Sequence, residues 1–179
     1  KHFYKDIEKS AYVFNTEVWP AKNPAHTAGS KNTRTELREL KSWESSGEHT
    51  LTVELSVNSL PTNGKGTIIT QVFSSSHSTK KGSGFIVSYK AGEIRAYGMY
   101  SKKSQKLGNV ELGKKFKLKV HIKDNDILVT LNDDKTVSGT LDKDSTYYFK
   151  TGSYILSKKE DDTHNETATV YLYNLKVEH

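Results

Sequence analysis

Three features of the sequence predict an all-β chain. Tyr, Thr, Ser and Val are abundant, with ten Tyr and only three Pro in 179 residues, a composition that suits pleated, half-buried surfaces. Several segments alternate apolar and polar side chains at a period of two, which sends neighbours to opposite sheet faces. No helical periodicity runs longer than two turns. A β-sandwich or a β-barrel is expected, and alternation alone does not choose between them.

Taken in order, a short helical turn is expected near Ser10-Ala11-Tyr12-Val13. Residues 49–60 (HTLTVELSVNSL) put Leu51, Val53, Leu55 and Val57 on one face. Residues 66–74 (GTIITQVFS) and 84–100 (GFIVSYKAGEIRAYGMY) read as strands, the second as a hairpin around Ala91-Gly92. Residues 115–122 (KFKLKVHI) turn Phe116, Leu118, Val120 and Ile122 inward. Asp124-Asn125-Asp126 is then a turn, and residues 127–131 return as the second arm of a hairpin. Residues 167–177 (TATVYLYNLKV) form a last strand, with Val170, Leu172, Asn174 and Lys176 opposite Tyr171, Tyr173, Leu175 and Val177. Residues 158–166 (KKEDDTHNE) read as a polar, mobile loop.

The length suits one domain spanning residues 1–179 with a core that needs no staples. The chain has no cysteine, so disulfides and thiolate metal sites are excluded. No run of about 18 apolar residues is present, and no membrane partner is expected. The first residues, Lys1-His2-Phe3-Tyr4, read as a trimmed start. The net charge is +6, which favours a polyanionic partner. The lysine pairs 80–81, 102–103, 114–115 and 158–159 are dispersed and read as solvated turns.

Three segments depart from what a core needs. In Tyr147-Tyr148-Phe149-Lys150-Thr151-Gly152-Ser153-Tyr154, alternation sends Tyr148, Lys150 and Tyr154 to one face, with Gly152 as a gap. Phe149, Thr151, Ser153 and Ile155 take the other. A cation and two phenols around bare backbone suit an anionic, hydroxyl-rich ligand. In Arg34-Thr35-Glu36-Leu37-Arg38, alternation puts Arg34, Glu36 and Arg38 together, and Arg forks suit carboxylates. In Ile69-Thr70-Gln71-Val72-Phe73, the expected shared face is Ile69, Gln71 and Phe73. A Gln buried there needs hydrogen-bond partners.

Together these segments resemble polysaccharide lyase family 7, the alginate lyases. Arg34 to Arg38 match the motif Arg-(Thr/Ser)-Glu-Leu-Arg, and Tyr148 to Tyr154 match Tyr-Phe-Lys-x-Gly-x-Tyr in full. Gln71-Val72-Phe73 match Gln-(Ile/Val)-His only in part. Order and approximate spacing agree, and Gly29-Ser30 also fit the approach to the arginine strand. The resemblance implies a concanavalin A-like jelly-roll sandwich of two antiparallel sheets with a concave groove. It implies cleavage of a uronic-acid polymer by β-elimination, leaving a 4,5-unsaturated sugar. Tyr154 is then the base and acid, while Gln71 and Arg34 neutralise the uronate carboxylate. Arg38 and Lys150 contact neighbouring carboxylates, and Glu36 orients the arginines. Tyr148 and Phe73 complete the substrate-binding set. Tyrosine has an ordinary pKa near 10, so a base at neutral pH needs a cationic field such as Arg34, Arg38 and Lys150 would supply.

Phe73 stands where the family carries His, and it neither accepts a proton nor hydrogen-bonds a carboxylate. The chain is then a binding module without catalysis, or another His fills the space, or Tyr154 works alone. The candidates for replacement are His77, His26, His49, His121 and His164. Stereochemistry bears on the last reading. In D-mannuronate and D-glucuronate, H5 and O4 lie on the same side of the ring, so one Tyr serves a syn elimination. In L-guluronate they lie on opposite faces and need a second group. A mannuronate-rich alginate or a glucuronan is the expected substrate. Phe73 would also stack on a pyranose face or simply pack.

Other motifs are weaker. Asp124-Asn125-Asp126 and Asn132-Asp133-Asp134 lack the Gly and Glu of a calcium loop. The seven His show no metal spacing, so no metal or other cofactor is expected. Asn165-Glu166-Thr167 is a glycosylation sequon, and Trp19 and Trp43 read as core or rim residues. The expected protein is a secreted, monomeric uronan lyase without a nucleic-acid partner. It is endo-acting, because the loops at residues 74–84 and 158–166 are short.

Overall fold

The computed structural model describes residues 2–18, 32–76, 83–99, 101, 103–157 and 166–179. Alternation becomes two antiparallel sheets. The first contains β1 (Phe3–Asp6), β2 (Ala11–Glu17), β5 (Glu48–Ser59), β10 (Phe116–Lys123), β11 (Asp126–Leu131), β12 (Lys135–Thr140) and β14 (Thr167–Glu178). Its strand order is β1-β2-β14-β5-β10-β11-β12. The second contains β3 (Arg34–Arg38), β4 (Trp43–Glu44), β6 (Thr67–Ser74), β7 (Gly84–Lys90), β8 (Glu93–Gly98), β9 (Gln105–Asn109) and β13 (Thr146–Ile155). Its order is β3-β13-β6-β7-β8-β9, with β4 also paired to β13. Among the described residues both sheets keep two open edges, which makes a sandwich and not a barrel.

The predicted inward faces meet between the sheets. Leu51, Val53, Leu55 and Val57 of β5 join Phe116, Leu118, Val120 and Ile122 of β10 in the main core, all nearly or fully buried. The second sheet contributes Val72, Phe85, Val87, Tyr89, Ile94, Ala96 and Phe149. Each large apolar side chain buried in this way contributes roughly 1.5–3 kcal/mol.

Two-residue turns close the predicted hairpins. Asp124 and Asn125 both have positive φ between paired Lys123 and Asp126. Ala91 and Gly92 do the same between Lys90 and Glu93. Positive φ at both positions matches the right-handed twist of the flanking strands.

Three local expectations change. The turn before β2 spans residues 7–10, and Ala11 to Val13 are strand, not helix. A register shift between Leu172 and Asn174 interrupts β14 and sets Leu175 and Val177, not Asn174 and Lys176, opposite the core residues Val53 and Leu51, although both remain exposed. A further shift on β6, between Ile68 and Thr70, sends Ile69 into the core with Val72 and leaves Ile68 on the outer face. One extra residue is enough to switch the face of everything beyond it.

Candidate active site

The outer face of the second sheet is assembled by strand register. β13 runs between β3 and β6, so Lys150 lies opposite both Arg38 and Gln71. Tyr148 faces Phe73, Gly152 faces Glu36, and Tyr154 faces Arg34. Segments separated by over a hundred residues in sequence therefore meet on one surface. All eight residues singled out from the sequence are on it: Arg34, Glu36, Arg38, Gln71, Phe73, Tyr148, Lys150 and Tyr154.

Glu36 is the hub of this surface. Its carboxylate accepts a hydrogen bond from Gln71 Nε2 and stands 3.8 Å from Lys150 Nζ. Its side chain is only 6% exposed, so the charge depends on these partners. Burial pushes the Glu36 carboxyl up, while the Lys150 charge, the Gln71 hydrogen bond and Arg34 pull it back. Burial pushes the Lys150 ammonium down, and Glu36 opposes that while Arg34 and Arg38 add to it. Glu36 was expected to orient the arginines; it also contacts Gln71 and Lys150, and the Arg34 charge acts on it.

The cations lie over aromatic rings. Arg38 Cζ is 4.1 Å from the Tyr148 ring centre and Arg34 Cζ is 5.2 Å from that of Tyr154. Lys150 Nζ is 4.4 Å from the Phe73 ring centre and 5.7 Å from that of Tyr148. These distances fit cation–π attraction, which holds a cation in place without neutralising it. Burial pushes the Tyr148 phenol up, and the Arg38 charge opposes it. Among the described residues, three cations surround one buried carboxylate, a setting that suits a ligand's carboxylates.

Gly152 has a different job from the gap expected of it. A Cβ there would lie 2.4 Å from Thr35 O and 2.8 Å from Glu36 Cα. The residue also has φ of 148°, which L side chains rarely adopt. Glycine lets β3 approach β13 closely, and that approach brings Glu36 to Gln71 and Lys150.

Two of the histidines considered as replacements for the motif His lie elsewhere. The His49 ring stacks on Trp43 at 4.3 Å, and its nitrogens pair with Glu44 O and His179. His121, on β10 in the other sheet, is 3.0 Å from Thr50 Oγ1 and 3.8 Å from a Glu48 carboxylate oxygen. His26, His77 and His164 lie outside the described residues, as do Trp19, Gly29, Ser30, Asn165 and residues 158–165. Trp43 is buried and donates to Glu39 Oε2 at 2.9 Å, a core residue as expected.

Tyr97 on β8 belongs to the same face and was not singled out from the sequence. It packs with Ile68, Ile86 and Met99 in a cluster that also holds Phe73 and Tyr154. Burial raises its phenol, a hydrogen bond with Ser88 opposes that, and nearby Tyr154 adds to the rise. The signal was present in Ile94-Arg95-Ala96-Tyr97, where alternation opposes Tyr97 to two core residues.

A family model described as alginate lyase matches residues 1–179. Among solved structures, the alginate lyase AlgAT5 from polysaccharide lyase family 7 is 23% identical, with a TM-score of 0.82 over 100% of this chain and 82% of that one. Alginate lyase A1-II', of the same family, is 24% identical with a TM-score of 0.83 over 100% and 83%. The alginate lyase from Corynebacterium sp. is 21% identical with a TM-score of 0.82 over 99% and 80%. These likenesses show the jelly-roll fold. Comparison with curated protein sequences produced no match.

Proposed function

The chain belongs to the alginate lyase family and is a polysaccharide lyase, and from that premise we propose that it cleaves mannuronate-rich alginate or glucuronan by syn β-elimination with Tyr154 as both base and acid. One observation carries this reading. Tyr154, Arg34 and Gln71 share a positive sheet face on which the position two residues after Gln71 holds Phe73.

The chemistry has two demands. The C5 proton beside the uronate carboxylate leaves only if the developing charge is stabilised, and the O4 leaving group needs a proton. Arg34 and Gln71 supply the first, a preorganised electrostatic task. Lys150 and Arg38 hold neighbouring carboxylates. Tyr154, as the phenolate, takes H5, the C5–H pair forms the C4=C5 bond and the C4–O4 bond breaks. The same phenol then passes its proton to O4, which regenerates the phenolate. One residue can serve both steps only where H5 and O4 lie on one side of the ring, as in mannuronate and glucuronate.

Structures of A1-II' in complex with substrate (GGMG) and with product (GGG) support an acidic polysaccharide as the substrate. The short loops expected from the sequence support endo cleavage, which a rapid drop in polymer viscosity would reveal. A polymer this large is met outside the cell, which supports secretion.

The test is ultraviolet absorbance of the unsaturated product on polymannuronate, polyguluronate and glucuronan. Activity is expected on the first or the third. Tyr154→Phe is expected to abolish it while polymer binding persists. Efficient cleavage of polyguluronate alone would overturn the syn assignment, and activity surviving Tyr154→Phe would overturn the base. Binding without any turnover would favour a carbohydrate-binding module.

A further inference from the structure

The row of side chains that starts at Tyr154 continues across the sheet. The paired residues are Tyr154, Ile68, Ser88, Arg95 and Lys106, one each from β13, β6, β7, β8 and β9. Ile94 and Ala96 are fully buried in the core, so Glu93, Arg95 and Tyr97 face outward with Tyr154. Between the two ends, the partly exposed Tyr97 packs with the buried Ile68 and Ile86 to make an apolar floor.

The far end of this row carries a built cluster. Arg95 donates through Nε to Ser104 Oγ at 2.8 Å and through Nη2 to Ser104 O at 2.9 Å. Its Nη1 meets Glu93 Oε1 at 2.5 Å, and Lys106 Nζ meets Glu93 Oε2 at 3.1 Å. The two cations pull the Glu93 carboxyl down. Two cations share one carboxylate, so a net positive charge remains on partly exposed side chains. The guanidinium is held rigidly and keeps two of its five N–H groups for another acceptor.

We propose that Arg95 and Lys106 form a distal subsite for a uronate carboxylate of the same polymer, with Glu93 as the internal carboxylate that tempers it. This inference rests on the reading of Tyr154 as the cleavage centre. Adjacent strands are about 4.8 Å apart, so Arg95 lies roughly 14 Å from Tyr154 along the row. A pyranose residue in a uronan spans nearly one strand spacing. A polymer crossing the strands thus brings a carboxylate to Arg95 about three sugars from the scissile bond. The apolar floor carries the ring faces in between, where no cation is needed.

The experiment measures binding and cleavage of mannuronate oligomers from trimer to heptamer. Binding is read by calorimetry in a Tyr154→Phe background, so that it does not depend on turnover. The double variant Arg95→Ala, Lys106→Ala is expected to weaken heptamer binding and kcat/KM by about ten-fold, with a much smaller effect on the trimer. Glu93→Gln is expected to tighten heptamer binding, because it releases both cations. Thermal unfolding checks that each variant folds. Equal losses at every length, or a Glu93→Gln protein that binds the heptamer less well, would overturn the subsite. Failure of the parent to cleave any uronan would instead overturn the role of Tyr154, while the calorimetric length dependence still decides the subsite.

Discussion

Phe73 stands where the resemblance read from the sequence expects a His, and its ring is occupied. Lys150 sits over one face and Tyr148 packs 5.8 Å away between ring centres. A His at this place would put a second proton acceptor beside Gln71. Phe73→His is therefore expected to raise polyguluronate cleavage relative to polymannuronate, measured as a ratio of initial rates. No change in that ratio would separate substrate choice from this position. Glu36 makes a second test at this scale. Removing it strands the Lys150 ammonium in a nearly closed environment, so Glu36→Ala is expected to cost about 3 kcal/mol in urea unfolding. Lys150→Met in the same background should recover much of that loss, because it removes the stranded charge. Both residues were legible in the sequence as motif members. Their pairing was not, because alternation says which face a side chain takes and nothing about its neighbour across the sheet.

At the level of elements, the site depends on how closely β3 approaches β13. Gly152 permits that approach, and a methyl group there meets backbone that cannot swing aside. Gly152→Ala is expected to destabilise by about 2 kcal/mol or more, since both φ and space oppose it. Lyase activity should fall further than stability accounts for, because β3 carries Arg34, Glu36 and Arg38 away together. Full activity in a folded Gly152→Ala protein would refute this account. The strands themselves were readable: β5 and β10 alternate cleanly and bury the side chains expected of them. Ile69 was misplaced because a bulge leaves no mark in a period-two pattern. The register of β6 against β13 shifts at the same place, between Thr151 and Tyr154, so the irregularity belongs to the assembled sheet.

For the molecule as a whole, the two sheets are tied at one end by an aromatic and histidine cluster. His49 of β5 stacks on Trp43, and His179 bridges His49 to Glu39, the residue after β3. Glu39 also accepts from Trp43 Nε1 and from Phe149 N at 3.0 Å. Burial is the main cause holding the His49 imidazole below its ordinary 6.5. Between that lowered value and 6.5 the unfolded chain binds more protons than the folded one, so acid favours unfolding. This contribution is fully present above pH 6.5 and is lost as pH falls through the window below it. The urea midpoint is therefore expected to drop on acidification from pH 7, and less steeply in His49→Phe. An equal slope in both proteins would assign the acid sensitivity to other groups. The surface as a whole is positive, so raising ionic strength is expected to raise KM for the polymer, with a smaller effect on kcat.

The sequence by itself determined the all-β class, the faces of the clean strands, the hairpin turns and the residue types of the site. These are local matters, set by side-chain period, by turn chemistry and by motif order along the chain. Only the tertiary structure decided between sandwich and barrel, moved Ile69 to the core, placed Glu36 against Gln71 and Lys150, and extended the Tyr154 row to Arg95 and Lys106. Each of these depends on which strand lies beside which and in what register. That pairing is chosen by the burial of the whole core, and no single segment carries it.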